Sequence, residues 1–81
     1  MMMTRDQVRD KVFESVAETF DFPLEDIRED MTAGDIGGWD SISTSYLILD
    51  IEEKFEKEFV VDDILNSENI GQMIDYFHKM I

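Results

Sequence analysis

The sequence contains no cysteine, one proline and one histidine among 81 residues. Without cysteine there is no disulfide scaffold, no zinc–cysteine site and no thiol nucleophile, so stability has to come from packing. No apolar run approaches the roughly 18 to 20 residues of a membrane span, and the first residues lack the basic-then-apolar pattern of a signal peptide. We therefore expect a cytoplasmic protein whose residues 1–81 form a single domain, because so short a chain cannot maintain two cores.

Basic residues are also scarce, with 7 Lys and Arg against 20 Asp and Glu and a net charge of −13. Phosphate binding needs clustered cations, so this balance argues against nucleic acid and against anionic membranes. The acidic charge favours encounter with cationic proteins, although plain solubility explains it equally well. Hydrophobic residues make up 43% of the chain, which is sufficient for an ordered core.

The spacing of the apolar residues predicts helices. From Thr4 onwards they lie along one side of a first helix, which Thr4 and Gln7 begin with a capping box. The only proline, Pro23, closes this region. Residues 21–39 have no sustained period, and we expect a long ordered loop of the kind that tends to be functional, held to the core by Ile27, Met31 and Ile36.

A second helix is predicted from Ser41 to Phe59, with Asp40 as its N-cap. Its core face consists of Leu47, Ile48, Ile51, Phe55 and Phe59. The opposite face carries three apolar residues, Ile42, Tyr46 and Leu49. This apolar stripe is either a docking surface for a partner with an apolar pocket and a basic margin, or a surface that the long loop covers. The acids that would face such a margin are Glu52, Glu53 and Glu56.

The last part of the chain predicts a short helical turn over residues 62–66 and a closing helix that begins near Ser67 or Asn69. The closing helix has a core-facing stripe formed by Ile70, Met73, Ile74, Phe77 and Ile81. The predicted fold is thus all-α: a small four-helix bundle with three main helices, one short helix and a long first loop.

Catalytic and metal-binding patterns are missing. His78, the only histidine, lies near the end of the last helix, and neither a G-x-S-x-G elbow nor a glycine-rich phosphate loop occurs. The acidic segments do not have the ligand spacing of an EF-hand, which leaves only loose divalent binding open and predicts no metal site. We therefore expect a protein that is not an enzyme.

Ser41 occupies the first position of the second helix, directly after a loop that contains Gly37 and Gly38. Exposed amides and the positive end of the helix dipole would stabilise a phosphate on this serine, and a modifying enzyme could reach it. By itself, however, a serine beside an N-cap is an ordinary helix start.

The tripeptide Asp40-Ser41-Ile42 resembles the Asp-Ser-Leu motif of the acyl carrier protein family, which opens the second helix of a four-helix bundle. The similarity continues in the acidic segment 51–55 and in the closing segment 74–77, so it covers nearly the whole chain. The resemblance implies that Ser41 is esterified by 4′-phosphopantetheine, which a magnesium-dependent phosphopantetheinyl transferase takes from coenzyme A. The chain itself has no thiol, and the thiol of this arm would carry acyl groups as thioesters to partner enzymes of fatty-acid-like, polyketide or other specialised biosynthesis.

The resemblance also implies roles for the neighbouring residues. Asp40 would lie beside the modified hydroxyl and help to position it, while Trp39 would pack against the bundle in preference to touching the arm. The docking residues would be Ile42, Tyr46, Leu49, Glu52, Glu53 and Glu56. The partners would be the transferase and acyl-loading and acyl-processing enzymes with basic docking surfaces, met by a monomeric carrier.

Some residues depart from the family pattern, and they bear on the pathway in which the carrier would act. Ile42 replaces the usual leucine, and Ser43 and Tyr46 stand where carriers of primary fatty-acid synthesis usually have acids. The Gly-Trp-Asp-Ser form is similar to discrete carriers of polyketide, lipid-modification or cell-surface polysaccharide pathways. An aminoacyl or peptidyl cargo is the alternative within this class, and an unmodified acidic interaction module is the alternative outside it. The cargo itself depends on the partner enzymes.

Overall fold

The structure, a computed structural model, describes residues 3–59 and 61–81. Helix α1 comprises Arg5–Phe20, α2 comprises Ser41–Phe55, α3 comprises Val61–Leu65 and α4 comprises Ile70–Met80. Two short 3-10 turns, Leu24–Asp26 and Ala33–Asp35, lie in the long loop between α1 and α2. No strand occurs within the described residues. The predicted all-α four-helix architecture is confirmed.

The helix starts follow from local side-chain chemistry. At α1 the Thr4 hydroxyl accepts a hydrogen bond from the Gln7 amide at 3.2 Å, and the Gln7 side chain accepts one from the Thr4 amide at 2.9 Å. This is the predicted capping box. At α4 the side chain of Asn69 accepts a bond from the Gln72 amide at 2.8 Å, which selects Asn69 over Ser67 as the N-cap.

The prediction that α2 continues to Phe59 is wrong, because the helix ends at Phe55. Glu56 adopts a left-handed conformation with φ 54°, and the carboxylate of Glu52 accepts a hydrogen bond from the Phe59 amide at 2.8 Å. This turn brings the ring of Phe59 onto Phe77, with ring centroids 4.7 Å apart. Phe59 is therefore a core residue, as expected, but it reaches the core from the turn after α2 and not from the helix itself.

The core lies between the three main helices. Its buried side chains are Val8, Val12 and Val16 from α1, Leu47, Ile48 and Ile51 from α2, and Ile70, Met73, Ile74 and Phe77 from α4. The three predicted loop anchors, Ile27, Met31 and Ile36, are at most 5% exposed. Burial of an aliphatic side chain contributes on the order of 1.5–3 kcal/mol, so the anchors hold the long loop firmly against the bundle.

Backbone hydrogen bonds join the long loop to the start of α4. The Ile70 amide donates to the Met31 carbonyl at 3.0 Å, and the Gly71 amide donates to the Glu29 carbonyl at 2.8 Å. Two of the helix-start amides that would otherwise lack a partner are satisfied in this way. The approach is close, since a β-carbon on Gly71 would lie 3.3 Å from both the carbonyl oxygen and the β-carbon of Glu29.

Arg5 completes this junction from the side of α1. Its guanidinium group pairs with the carboxylates of Glu29 at 2.6 Å and Asp75 at 2.7 Å. The hydrogen bond from Arg5 holds the pKa of the Glu29 carboxyl below its usual value. Arg5 thus connects α1 to both the long loop and α4, and its partner Asp75 lies 70 positions further along the chain.

Candidate functional site: the amino-terminal end of α2

Ser41 is the first residue of α2 and is exposed. Asp40 precedes it as the predicted N-cap, and its carboxylate accepts a hydrogen bond from the Ser43 amide at 2.8 Å. That bond holds the pKa of the Asp40 carboxyl below its usual value, so the cap is charged at neutral pH. Among the hydrogen bonds of the described residues, none involves Oγ of Ser41. The hydroxyl is therefore accessible and unengaged.

The turn before Ser41 depends on Gly38. Its φ is +85°, a conformation that residues with a side chain rarely adopt, which explains the glycine at this position. The Gly38 carbonyl accepts a hydrogen bond from the Ser43 hydroxyl at 2.6 Å. The first turn of α2 thus holds the segment that leads into it.

Trp39 packs against the bundle, as expected. Its ring stacks on Phe20 at the end of α1, with centroids 4.8 Å apart and an interplanar angle of 17°. The indole Nε1 donates a hydrogen bond to the hydroxyl of Thr44 at 2.8 Å. Thr44 is buried and its hydroxyl donates in turn to the Asp40 carbonyl at 2.7 Å. Sequence reasoning missed Thr44, because a threonine inside a helix gives no local signal of such a bond.

The apolar stripe of α2 is uncovered. Ile42, Tyr46 and Leu49 are 68%, 62% and 60% exposed, so the interpretation that the long loop buries them is wrong. Residues 41–49 carry no charged side chain at all. A large exposed apolar group on a small domain is typical of an interaction surface.

The three acids predicted to rim this stripe have different surroundings. Glu53 is exposed on α2, and Glu56 is exposed at its C-cap. Glu52 is partly buried, and its carboxylate closes the turn by accepting the hydrogen bond from the Phe59 amide. The periodicity of the sequence did not reveal this structural role of Glu52, because the contact forms only once the chain has left the helix.

A cavity of about 260 Å³ lies beside Ser41. Four segments line it: the long loop, the start of α2, α3, and the start of α4. Its apolar lining includes Met31, Trp39, Ile64, Ile70 and Met73, and its polar lining includes Asp40 and Ser41. Since these residues come from four separate parts of the chain, no single motif predicted the cavity.

Comparison with known families shows which family the chain belongs to. The family described as "Phosphopantetheine attachment site" matches residues 10–77 of the chain. The chain belongs to this phosphopantetheine attachment family. The match spans all of α2 and α3 and reaches into α1 and α4, so it covers well over half of the sequence.

Several relatives of this chain carry the name acyl carrier protein. One from Exiguobacterium sibiricum is 29% identical over 98% of this chain and 100% of its own length. Another from Chlorobium luteolum is 29% identical over 95% of this chain and 99% of its own length. A third, from Chlorobium phaeobacteroides, is 27% identical over the same shares. Acyl carrier proteins are carriers and not enzymes, and the family implies a covalently attached 4′-phosphopantetheine.

The residues at the start of α2 fit such a group. An unengaged, exposed serine hydroxyl is a group on which a phosphodiester could form, and the helix start provides amides and dipole charge that suit a phosphodiester. As a family member the chain interacts with a phosphopantetheinyl transferase and with biosynthetic enzymes. No helix among residues 3–59 and 61–81 is both long and apolar enough to cross a bilayer. The same described residues contain no group of three or more potential metal ligands.

Proposed function

We propose that the chain is an acyl carrier protein that bears 4′-phosphopantetheine on Ser41 and delivers acyl groups, held as thioesters on that arm, to partner enzymes. The observation that carries this proposal is the exposed, unengaged hydroxyl of Ser41 at the capped start of α2. Three other serines suit the role less well. Ser15 is buried, and the hydroxyls of Ser43 and Ser45 donate to the carbonyls of Gly38 and Ser41.

In the proposed attachment, Oγ of Ser41 forms a bond to the phosphorus that bears pantetheine in coenzyme A. The pyrophosphate P–O bond breaks, adenosine 3′,5′-bisphosphate leaves, and the hydroxyl proton passes to a base on the transferase. Asp40 contributes by capping the helix, which fixes the position of Ser41 relative to the first amides. When bound, the group supplies a thiol for acyl transfer.

The exposed stripe of Ile42, Tyr46 and Leu49 is the proposed docking surface for the partner enzymes. Its apolar centre would enter an apolar pocket, and Glu53 and Glu56 at its far end would face a basic margin. Glu52 belongs to the same proposed surface, although its carboxylate is also engaged by the Phe59 amide.

We place the carrier in a specialised pathway, such as polyketide, lipid-modification or cell-surface polysaccharide assembly. The support is segment 41–49, whose side chains include no acid that could pair with a strongly basic partner. An aminoacyl or peptidyl cargo is the alternative, suggested by Gly37-Gly38 ahead of the serine. A net charge of −13 opposes self-association and supports a monomer, which we propose to act in the cytoplasm.

Intact-protein mass spectrometry tests the proposal. The chain is incubated with coenzyme A, Mg²⁺ and a broad-specificity phosphopantetheinyl transferase, and we expect a gain of one phosphopantetheine unit. Ser41→Ala should show no gain, whereas Ser45→Ala, which removes an exposed hydroxyl one turn further along α2, should gain the full unit. No gain across several transferases, with the protein shown to be folded, would favour the unmodified acidic interaction module.

A further inference from the structure

We propose that Trp39 and Thr44 are positioning residues for the modification of Ser41, acting through the peptide unit that joins Asp40 to Ser41. This inference rests on the proposed function. The juxtaposition that carries it is a continuous set of contacts from the end of α1 to that peptide. Phe20 stacks on Trp39, Trp39 donates to Thr44, and Thr44 donates to the Asp40 carbonyl.

The Asp40 carbonyl is held by two donors from the same residue. The Thr44 amide donates to it at 2.8 Å and the Thr44 hydroxyl at 2.7 Å. A peptide unit is planar, so fixing its carbonyl also fixes the amide nitrogen of Ser41 in the same plane. The direction in which the Ser41 side chain leaves the backbone is thereby restricted before any enzyme binds.

The indole determines how the Thr44 hydroxyl points. A threonine hydroxyl has one proton and two lone pairs, and its rotation is otherwise free. Because Nε1 of Trp39 donates to it, the oxygen must use a lone pair in that direction and keep its proton for the Asp40 carbonyl. Thr44 is only 5% exposed, so water does not readily replace either bond.

The stack on Phe20 gives this arrangement a fixed reference. Both rings are partly buried against the core, and Phe20 is the last residue of α1. The start of α2 is consequently tied to the end of α1 through side chains as well as through the long loop. Asp40 already caps the helix through its side chain, and the additional contacts act on its carbonyl, in the peptide unit shared with Ser41.

Steady-state kinetics of phosphopantetheinylation test the inference. The variant Thr44→Val keeps the side-chain shape and removes the hydroxyl, and Trp39→Phe keeps an aromatic ring for the stack and removes the indole donor. For both we expect the kcat of the transferase to fall by about tenfold while its KM for the carrier changes by less than about twofold, as misplacement of a reacting group predicts. Thr44→Ser, which retains the hydroxyl, should have the kcat of the wild type. Thr19→Val, which makes the same change at a partly exposed position of α1, should behave as the wild type.

The double variant Trp39→Phe/Thr44→Val should be no slower than the slower single variant, because both changes remove the same hydrogen bond. The inference would be overturned if kcat were unchanged in the single variants, or if their effects on kcat added in the double variant. It would also be overturned if Thr44→Ser were as slow as Thr44→Val. NMR relaxation of the unmodified variants gives a readout without the transferase: order parameters at the Ser41 and Ile42 amides should fall in both single variants, and unchanged values would equally overturn it. Lack of modification of the wild type at Ser41 would instead refute the proposed function.

Discussion

Ser15 is a polar residue in an apolar environment. It is fully buried in α1 between Val12 and Val16, and its hydroxyl has no hydrogen-bond partner within residues 3–59 and 61–81. Leaving a buried hydroxyl unsatisfied costs on the order of 1–3 kcal/mol. We therefore predict that Ser15→Ala raises the free energy of unfolding by about 1 kcal/mol, measured by urea denaturation. Ser45→Ala gains the same helix propensity at an exposed position, so equal stabilisation of the two variants would refute this account of Ser15.

Gly71 lies at a close approach between α4 and the long loop, and its backbone conformation does not itself need a glycine. Its amide donates to the Glu29 carbonyl at 2.8 Å, and a β-carbon would crowd both that oxygen and the Glu29 side chain. Although alanine is the better helix former, we predict that Gly71→Ala lowers the free energy of unfolding by about 1–3 kcal/mol. Gly37→Ala is the matched control, since its β-carbon would enter open space. Thermal unfolding measures both, and a neutral Gly71→Ala would contradict the close approach.

The sequence predicts the roles of some individual residues and not of others. The caps at Thr4 and Asp40 were predictable, because a cap and its amide partner are three residues apart. The isolation of Ser15 and the indole contact of Thr44 were not, because each depends on which other helix or loop covers the position. Ser41 was singled out through its place at the helix start and through the family motif.

At the scale of elements, α2 illustrates the limit of periodicity. The apolar pattern continues through Phe55 to Phe59 with helical spacing, yet the helix stops at Phe55. The residue that ends it, Glu56, adopts a left-handed conformation without being a glycine or asparagine. The position of the core was thus predictable, whereas the end of the helix was decided by the Glu52 cap and the packing of Phe59.

The exposed face of α2 gives a prediction about recognition. Glu53 is an exposed acid beyond the uncharged segment, where a basic transferase surface would meet it. We predict that Glu53→Lys slows modification of Ser41 several-fold through weaker association, with helix content by circular dichroism unchanged. Glu14→Lys, which reverses an exposed charge on α1, serves as the control with the same change in net charge. Equal rates for Glu53→Lys and the wild type would remove Glu53 from the docking surface.

For the whole molecule, the charge of −13 is the dominant electrostatic feature. Repulsion among many carboxylates opposes the compact state, and salt screens it. We predict that the melting temperature rises when salt is increased from about 0.05 to 0.5 M, and that millimolar Mg²⁺ acts in the same direction. Differential scanning calorimetry is the measurement. A constant melting temperature would mean that the charges are spaced widely enough for water alone to screen them.

The junction of Arg5, Glu29 and Asp75 adds a pH dependence. The folded-state pKa of Glu29 is lowered by Arg5, so its ion pair stabilises the fold above the unfolded-state value near 4.5 and this contribution is lost as pH falls through the folded-state pKa. We predict that the wild type is more stable than Glu29→Gln at pH 7, by no more than about 1 kcal/mol because the pair is partly exposed, and that the difference shrinks as pH falls below the unfolded-state value. Urea denaturation at a series of pH values measures it, and a difference that does not decrease with falling pH would contradict this assignment.

The long-range contacts of that junction were beyond sequence reasoning. Arg5 and Asp75 are 70 positions apart, and the loop carbonyls that cap α4 carry no side-chain signature. The apolar residues were enough to predict the helices, the core and the loop anchors. Residues buried on one face of a helix recur with the helical period, and isolated apolar residues in a polar loop indicate anchors. The contacts that orient the loop are polar and non-periodic.

The two faces of α2 make different contacts. Asp40, Ser43 and Thr44 make their hydrogen bonds toward the turn and the bundle, while Ile42, Tyr46 and Leu49 make no contribution to the core. Under the proposed function, the side chains available for recognition are thus distinct from those that hold Ser41. Such a helix could be resurfaced, in evolution or by engineering, to exchange one set of enzymes for another without rebuilding the scaffold around Ser41.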